Sequence, residues 1–223
     1  MASCLQWLMK KRTYSELRQE DSAVDQEAGT PNVYIHNIVS TTKIHTNGGL
    51  INLEKLREIL PYSHYDKNRF AAITIRIGNP TCTALLFTSG KLVVTGGVCW
   101  YECLLASLEI TRIIQECTPD QKFWHVSCDV QNIVAKSSVI ERPGYYLDID
   151  RMYQSLNSLC TYQKSMFPGL IFRPRNSPIV LLCFHSGKVV ITGGRKISDV
   201  YLGWKVLWPV VRQFVREKNN LKC

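Results

Sequence analysis

The chain has 223 residues, 45% of them hydrophobic and 20% charged, which is ordinary for a globular protein with a sizeable core and excludes disorder of the whole chain. Lys and Arg total 27 against 18 Asp and Glu, and the resulting net charge of +9 favours a polyanionic partner. No apolar run reaches membrane-spanning length, and the short CLQWLM stretch precedes its basic KKR, the reverse of the order in a secretory signal.

Residues 1–30 read as a polar tail of net charge −1, so the positive charge belongs to the folded part. The KKR run at Lys10 to Arg12 reads as solvated charge, with a weak nuclear-import patch as the alternative. The nine cysteines include no CxxC pair and no Cys/His spacing of a zinc site. Reduced, mostly buried thiols in a reducing compartment are expected, with no metal and no cofactor.

From residue 31 onward the chain is written twice. HNIV at 36–39 is followed by FAAITIRI at 70–77, which alternates apolar residues at period two, and by TALLF-TSG-KLVVTGG at 83–97, a β-hairpin whose Ser-Gly supplies the turn. Gly96 and Gly97 end the strand, and a helix follows with Ala106, Ile110, Ile113 and Cys117 as its core stripe. The second copy, from residue 123, repeats the plan with QNIV at 131–134, FPGLIF at 167–172 and IVLLCF-HSG-KVVITGG at 179–194. Its helix carries Val200, Trp204, Leu207, Val211 and Phe214 on one face. Phe70 and Phe167, Phe87 and Phe184, Lys91 and Lys188, and Thr95 and Thr192 all lie 97 residues apart, while Asn37 and Asn132 lie 95 apart. Such an offset marks a duplicated domain half and not a solenoid. The domains are therefore read as 31–122, of net charge +2, and 123–223, of net charge +8.

The fold class this implies is α+β: two tandem pseudo-symmetric repeats, each an antiparallel sheet with helices on one face, able to share a continuous sheet whose other face is bare. That face would carry Val39, Leu85, Val93, Val134, Val180, Leu182 and Val190, with Arg69, Arg76, Lys91, Arg173 and Lys188 close by in sequence. An apolar floor with a basic rim suits a nucleic-acid minor groove. A core beneath a further layer explains the valines equally well.

The strings NIVST, NRFAAITIRI, TALLFTSGKLVVTGG, QNIV, FPGLIF and IVLLCFHSGKVVITGG resemble the TATA-binding protein family over nearly all of 31–216. The resemblance implies a curved saddle whose concave sheet enters the minor groove of A·T-rich promoter DNA and bends it, the wedging and kinking being the family's established behaviour. It implies that Phe70, Phe87, Phe167 and Phe184 intercalate, that Asn37, Asn132, Thr95 and Thr192 contact bases near the dyad, and that Arg69, Arg76, Lys91, Arg173, Lys188, Ser89 and Ser186 contact phosphates. It implies a nuclear general initiation factor that nucleates the preinitiation complex with factors of the IIA and IIB type and the RNA polymerase machinery. Self-association through the concave face is also compatible with it.

Three departures from the family pattern bear on partners. The segment before FPGL is acidic in the family and grips factor IIB, whereas Gln163, Lys164 and Ser165 stand here. The first-repeat helix is basic in the family, whereas Leu104, Leu108, Glu109 and Glu116 occupy those positions and only Arg112 keeps the sign; Leu104 and Leu108 are expected to face solvent. Val98 stands where a lysine is usual, while Arg195 retains the charge in the second copy. A divergent member acting mainly as an interaction module or architectural DNA binder is the alternative reading. An enzyme is disfavoured, since the Asp148 and Asp150 pair in a polar stretch is the only candidate Mg²⁺ site, and His185 at a hairpin tip reads as a phosphate neighbour.

Overall fold

The computed structural model describes residues 30–60 and 62–218, so the tail and its KKR run lie outside the described residues. In chain order the elements are β1 (Tyr34–Thr46), α1 (Leu53–Ile59), β2 (Ser63–His64), β3 (Ala72–Ile77), β4 (Cys82–Phe87), β5 (Lys91–Gly97), α2 (Trp100–Cys117) and β6 (Phe123–Ser138). There follow β7 (Tyr145–Leu147), α3 (Ile149–Leu156), β8 (Cys160–Thr161), β9 (Leu170–Phe172), β10 (Val180–Cys183), β11 (Lys188–Gly194), α4 (Ile197–Arg212) and β12 (Val215–Glu217).

Two compact units emerge, one made of 37–131 and the other of 30–36 together with 132–218. In the first the strand order is β2-β3-β4-β5-β1 and in the second β6-β11-β10-β9-β8, antiparallel within each unit. A small β12-β7 ribbon, for which no sequence signal was read, completes the second unit.

Period-two alternation decides which side chains are covered. In β4 and β5 the inward set Ala84, Leu86, Leu92 and Val94 is fully buried, and in β10 and β11 so are Leu181, Cys183 and Ile191, with Val189 almost so. α4 covers the second set with Val200, Trp204, Leu207 and Val211, all buried as the 3.6-residue period predicts, whereas Phe214, expected on the same helix face, is buried from the turn two residues past the helix end. α2 covers the first with Cys103, Ala106, Ser107, Ile110 and Ile114. This corrects the expected stripe: Ile113 and Cys117 are only half-buried, because the inward face is centred one residue further along the last turns.

Each unit breaks its ladder at the same place. The register shifts between Ile38 and Ser40 in the first and between Ile191 and Gly194 in the second. Gly96 and Gly193 sit there with φ of +106° and +98°, and a Cβ on Gly193 would stand 2.0 Å from Pro178 O, so glycine is needed twice over.

Candidate nucleic-acid interface

The face of the sheet opposite the helices carries the other half of each strand. Asn37, Val39, Leu85, Val93 and Thr95 in the first unit are all partly accessible, as are Asn132, Val134, Val180, Leu182, Val190 and Thr192 in the second, while their sequence neighbours Ile38, Ala84, Leu86, Val94, Ile133, Leu181, Val189 and Ile191 are buried. Leu85 stands opposite Val93, and Leu182 opposite Val190, so each unit presents matched cross-strand apolar pairs. Among the described residues no further layer covers them.

Where the ladder breaks, the backbone fixes an amide. Gly96 N donates to Asn37 Oδ1 at 2.7 Å, and Thr95 Oγ1 donates to the same oxygen at 3.1 Å. In the second unit Gly193 N donates to Asn132 Oδ1 at 2.9 Å, and Thr192 Oγ1 lies 3.1 Å from Oδ1 and 3.0 Å from Nδ2. A backbone N–H can only donate, so it settles which end of the amide faces it. The oxygen is consumed, so the donors still free to a ligand lie on the NH2, one hydrogen of which in Asn132 is within reach of Thr192 Oγ1. A surface of hydrogen-bond donors set in an apolar floor matches A·T pairs, whose minor-groove edge holds only acceptors.

The phenylalanines form two copies of one arrangement. Phe70 and Phe87 meet edge to face with centroids 6.0 Å apart at 65°, and Phe167 and Phe184 do so at 5.8 Å and 69°. Phe70 N donates to Asp66 O and Phe167 N to Gln163 O, so a single helical turn presents the first ring of each pair. The hairpin turn presents the second, with Gly90 N donating to Phe87 O and Gly187 N to Phe184 O. Phe70 is 49% and Phe167 37% exposed, a large apolar area for rings that a core would normally hide.

The basic rim repeats as well. Arg69, Arg76, Lys91, Arg173 and Lys188 are all exposed, as are Ser89 and Ser186 in the hairpin turns. Arg76 N donates to Tyr62 O and Arg173 N to Leu159 O, giving the two arginines equivalent edge positions. Three open-face residues escaped the sequence reading: Lys43, opposite Lys91; Lys136, opposite Val190; and His36, whose Nε2 lies 2.9 Å from Lys136 Nζ. A lysine in an alternating strand looks like ordinary solvated charge, so only the register reveals where it stands.

The partner-facing residues fall out differently from expectation. Leu104 and Leu108 are half-buried and not solvent-facing. Ser107 Oγ lies 2.8 Å from His125 Nε2, and Gln115 Oε1 accepts from Phe123 N at 3.0 Å. Arg112 pairs with both Glu109 and Glu116, which holds the Glu109 carboxyl below the usual range and cancels part of the negative charge. Gln163, Lys164 and Ser165 are exposed, with Lys164 paired to Asp150 at 2.8 Å. Asp148 caps α3 by accepting from Arg151 N, so the two carboxylates have separate structural employment. His185 stacks on Tyr146 at 4.8 Å. The seven described cysteines are free, and burial pushes the Cys103 and Cys183 thiols up to about 12, leaving them neutral.

A family model described as transcription factor TFIID, or TATA-binding protein, matches residues 32–117 and 127–214. The TATA-box-binding protein of Candida albicans is 33% identical over 93% of this chain and 84% of its own length. That of Saccharomyces cerevisiae is 34% identical over 92% and 80%. TATA-box-binding protein-like 1 of Entamoeba histolytica is 34% identical over 83% and 82%. Among solved structures the Methanococcus jannaschii TBP superposes with a TM-score of 0.64 at 29% identity, covering 82% of this chain and 99% of that one.

Proposed function

The chain belongs to the TATA-binding protein family, and on that premise we propose that it is a general transcription initiation factor whose open sheet face enters the minor groove of A·T-rich promoter DNA. One observation carries the reading: each unit sets an exposed edge-to-face phenylalanine pair beside an apolar floor with an outward asparagine amide. The rings wedge into base steps, at a cost of about a few kcal/mol of unstacking per step, which stacking and wider contact offset. The floor selects A·T because the G·C amino group would meet apolar side chains and amide donors. Arg69, Arg76, Lys91, Arg173 and Lys188, with Ser89 and Ser186, supply sequence-independent affinity through phosphates. Action on promoters places the protein in the nucleus, where it nucleates preinitiation complexes without catalysing a reaction.

Partners of the factor IIA and IIB type dock on surfaces of altered chemistry. Glu109, Arg112 and Glu116, bordered by Leu104 and Leu108, favour a partner with basic residues, and the Gln163, Lys164, Ser165 turn has no acidic grip to offer. The deciding experiment is a gel shift comparing a TATA-box duplex with a G·C-rich duplex of equal length. Retention of only the first supports the reading, and equal retention of both overturns it.

A further inference from the structure

The two units present the same number of lysines on the open face but not at the same depth. In the first unit Lys43 stands opposite Lys91, and Thr41 stands opposite Val93. In the second the equivalent partners are reversed in character: Ser138 stands opposite Lys188, and Lys136 stands opposite Val190. One lysine has moved inward by two residues along its strand, roughly 7 Å at about 3.4 Å per residue. It now sits four residues from Asn132, where Lys43 sits six from Asn37.

The surroundings of the two equivalent positions differ too. The Thr41 hydroxyl accepts from Gln131 Nε2 at 2.7 Å and is uncharged. Lys136 is exposed between the buried Ala135 and Ser137, which puts its side chain on the open face beside Val134 and Val190. Its contact is His36 Nε2 at 2.9 Å, which takes one proton of the ammonium and steadies the side chain, leaving two protons to donate. Among the described residues it forms no ion pair.

We infer that Lys136 is a specificity-determining residue that makes the second unit a stricter reader of A·T pairs than the first. The inference rests on the minor-groove reading above and deepens it. An ammonium has donors and no acceptor, so it matches the adenine N3 and thymine O2 acceptors but meets the guanine amino group as donor against donor. A narrow, electronegative A·T groove draws it in further. Thr41 can donate or accept, so the first unit, whose floor also selects A·T, penalises a G·C pair less than the second does.

Because a palindromic TATATATA element lets the protein bind in either direction, the asymmetry is read from paired substitutions. One G·C pair placed in one half is tolerated, since the complex turns so that Thr41 meets it. G·C pairs placed symmetrically in both halves leave no tolerant direction. Wild type should then lose affinity beyond the square of the single-substitution loss, by about threefold if the second unit is about tenfold stricter than the first, within the scale of a base mismatch. Inosine·C pairs, which lack the amino group, should remove that excess. Lys136→Thr should make the double loss equal the square of the single loss, and Thr41→Lys should do the same by making both halves strict. Equal behaviour of wild type and Lys136→Thr overturns the inference. Failure of wild type to prefer TATATATA over a G·C-rich duplex would instead count against the minor-groove reading itself.

Discussion

Gly96 N donates to Asn37 Oδ1 at 2.7 Å, and that one bond determines what the asparagine offers to a ligand. An aspartate at position 37 could accept the same bond while turning a carboxylate oxygen outward, where the groove has only acceptors. Asn37→Asp and Asn132→Asp should each weaken binding to a TATA duplex by about tenfold or more, the range of 1–3 kcal/mol for a lost base contact, with little change in thermal stability. Fluorescence anisotropy titration measures the first and a melting curve the second. Wild-type affinity in both variants would mean that the amides do not face bases.

The ring pairs predict a separation of bending from folding. Phe87→Ala and Phe184→Ala should each abolish the shortening of an end-labelled TATA duplex seen by fluorescence transfer, while the partly exposed position of these rings keeps the protein folded. Tight binding with unshortened DNA in wild type would rule out the wedge.

Rim and floor should respond differently to salt and sequence. Arg76→Ala or Lys188→Ala is expected to weaken binding to all duplexes alike and to lower the slope of log affinity against log salt by about 1. Val93→Ser or Val190→Ser should leave that slope in place and relax discrimination against G·C. If all four variants change the same quantity, phosphates and floor do not divide the work in this way.

His125 provides a pH test of the packing of β6 on α2. Burial lowers its pKa below 6.5, so the folded state holds it neutral while the unfolded chain protonates it near 6.5. The unfolded state therefore binds more protons as pH falls through 6.5, and stability drops in that direction. The urea midpoint should decline between pH 7.5 and 5, and the decline should shrink in His125→Gln, which keeps a partner for Ser107. An unchanged decline would assign the pH dependence to other groups.

The strands and hairpins were legible because each is a local signal: alternation in β3 to β5 and β9 to β11, a Ser-Gly turn, a paired glycine stop. The α4 stripe was legible because Trp204 and its companions follow one helical period without interruption. α2 was less so, since Ser107 meets His125 and Gln115 meets Phe123 at the start of β6, contacts that helical periodicity alone does not show. The depth of Lys136 was invisible for a related reason. Strand alternation says which face a residue takes, whereas only pairing with Val190 says how far along the face it stands.

The composition of the two units bears on whether either copy could stand alone. Residues 30–36, at the start of the first copy, cluster with the second unit, and residues 123–131, at the start of the second copy, cluster with the first. Each copy thus lends its opening segment and receives one in return. A chain cut between the two copies at 122 would therefore separate each unit from a segment that belongs to it, so neither half is expected to hold its full core alone.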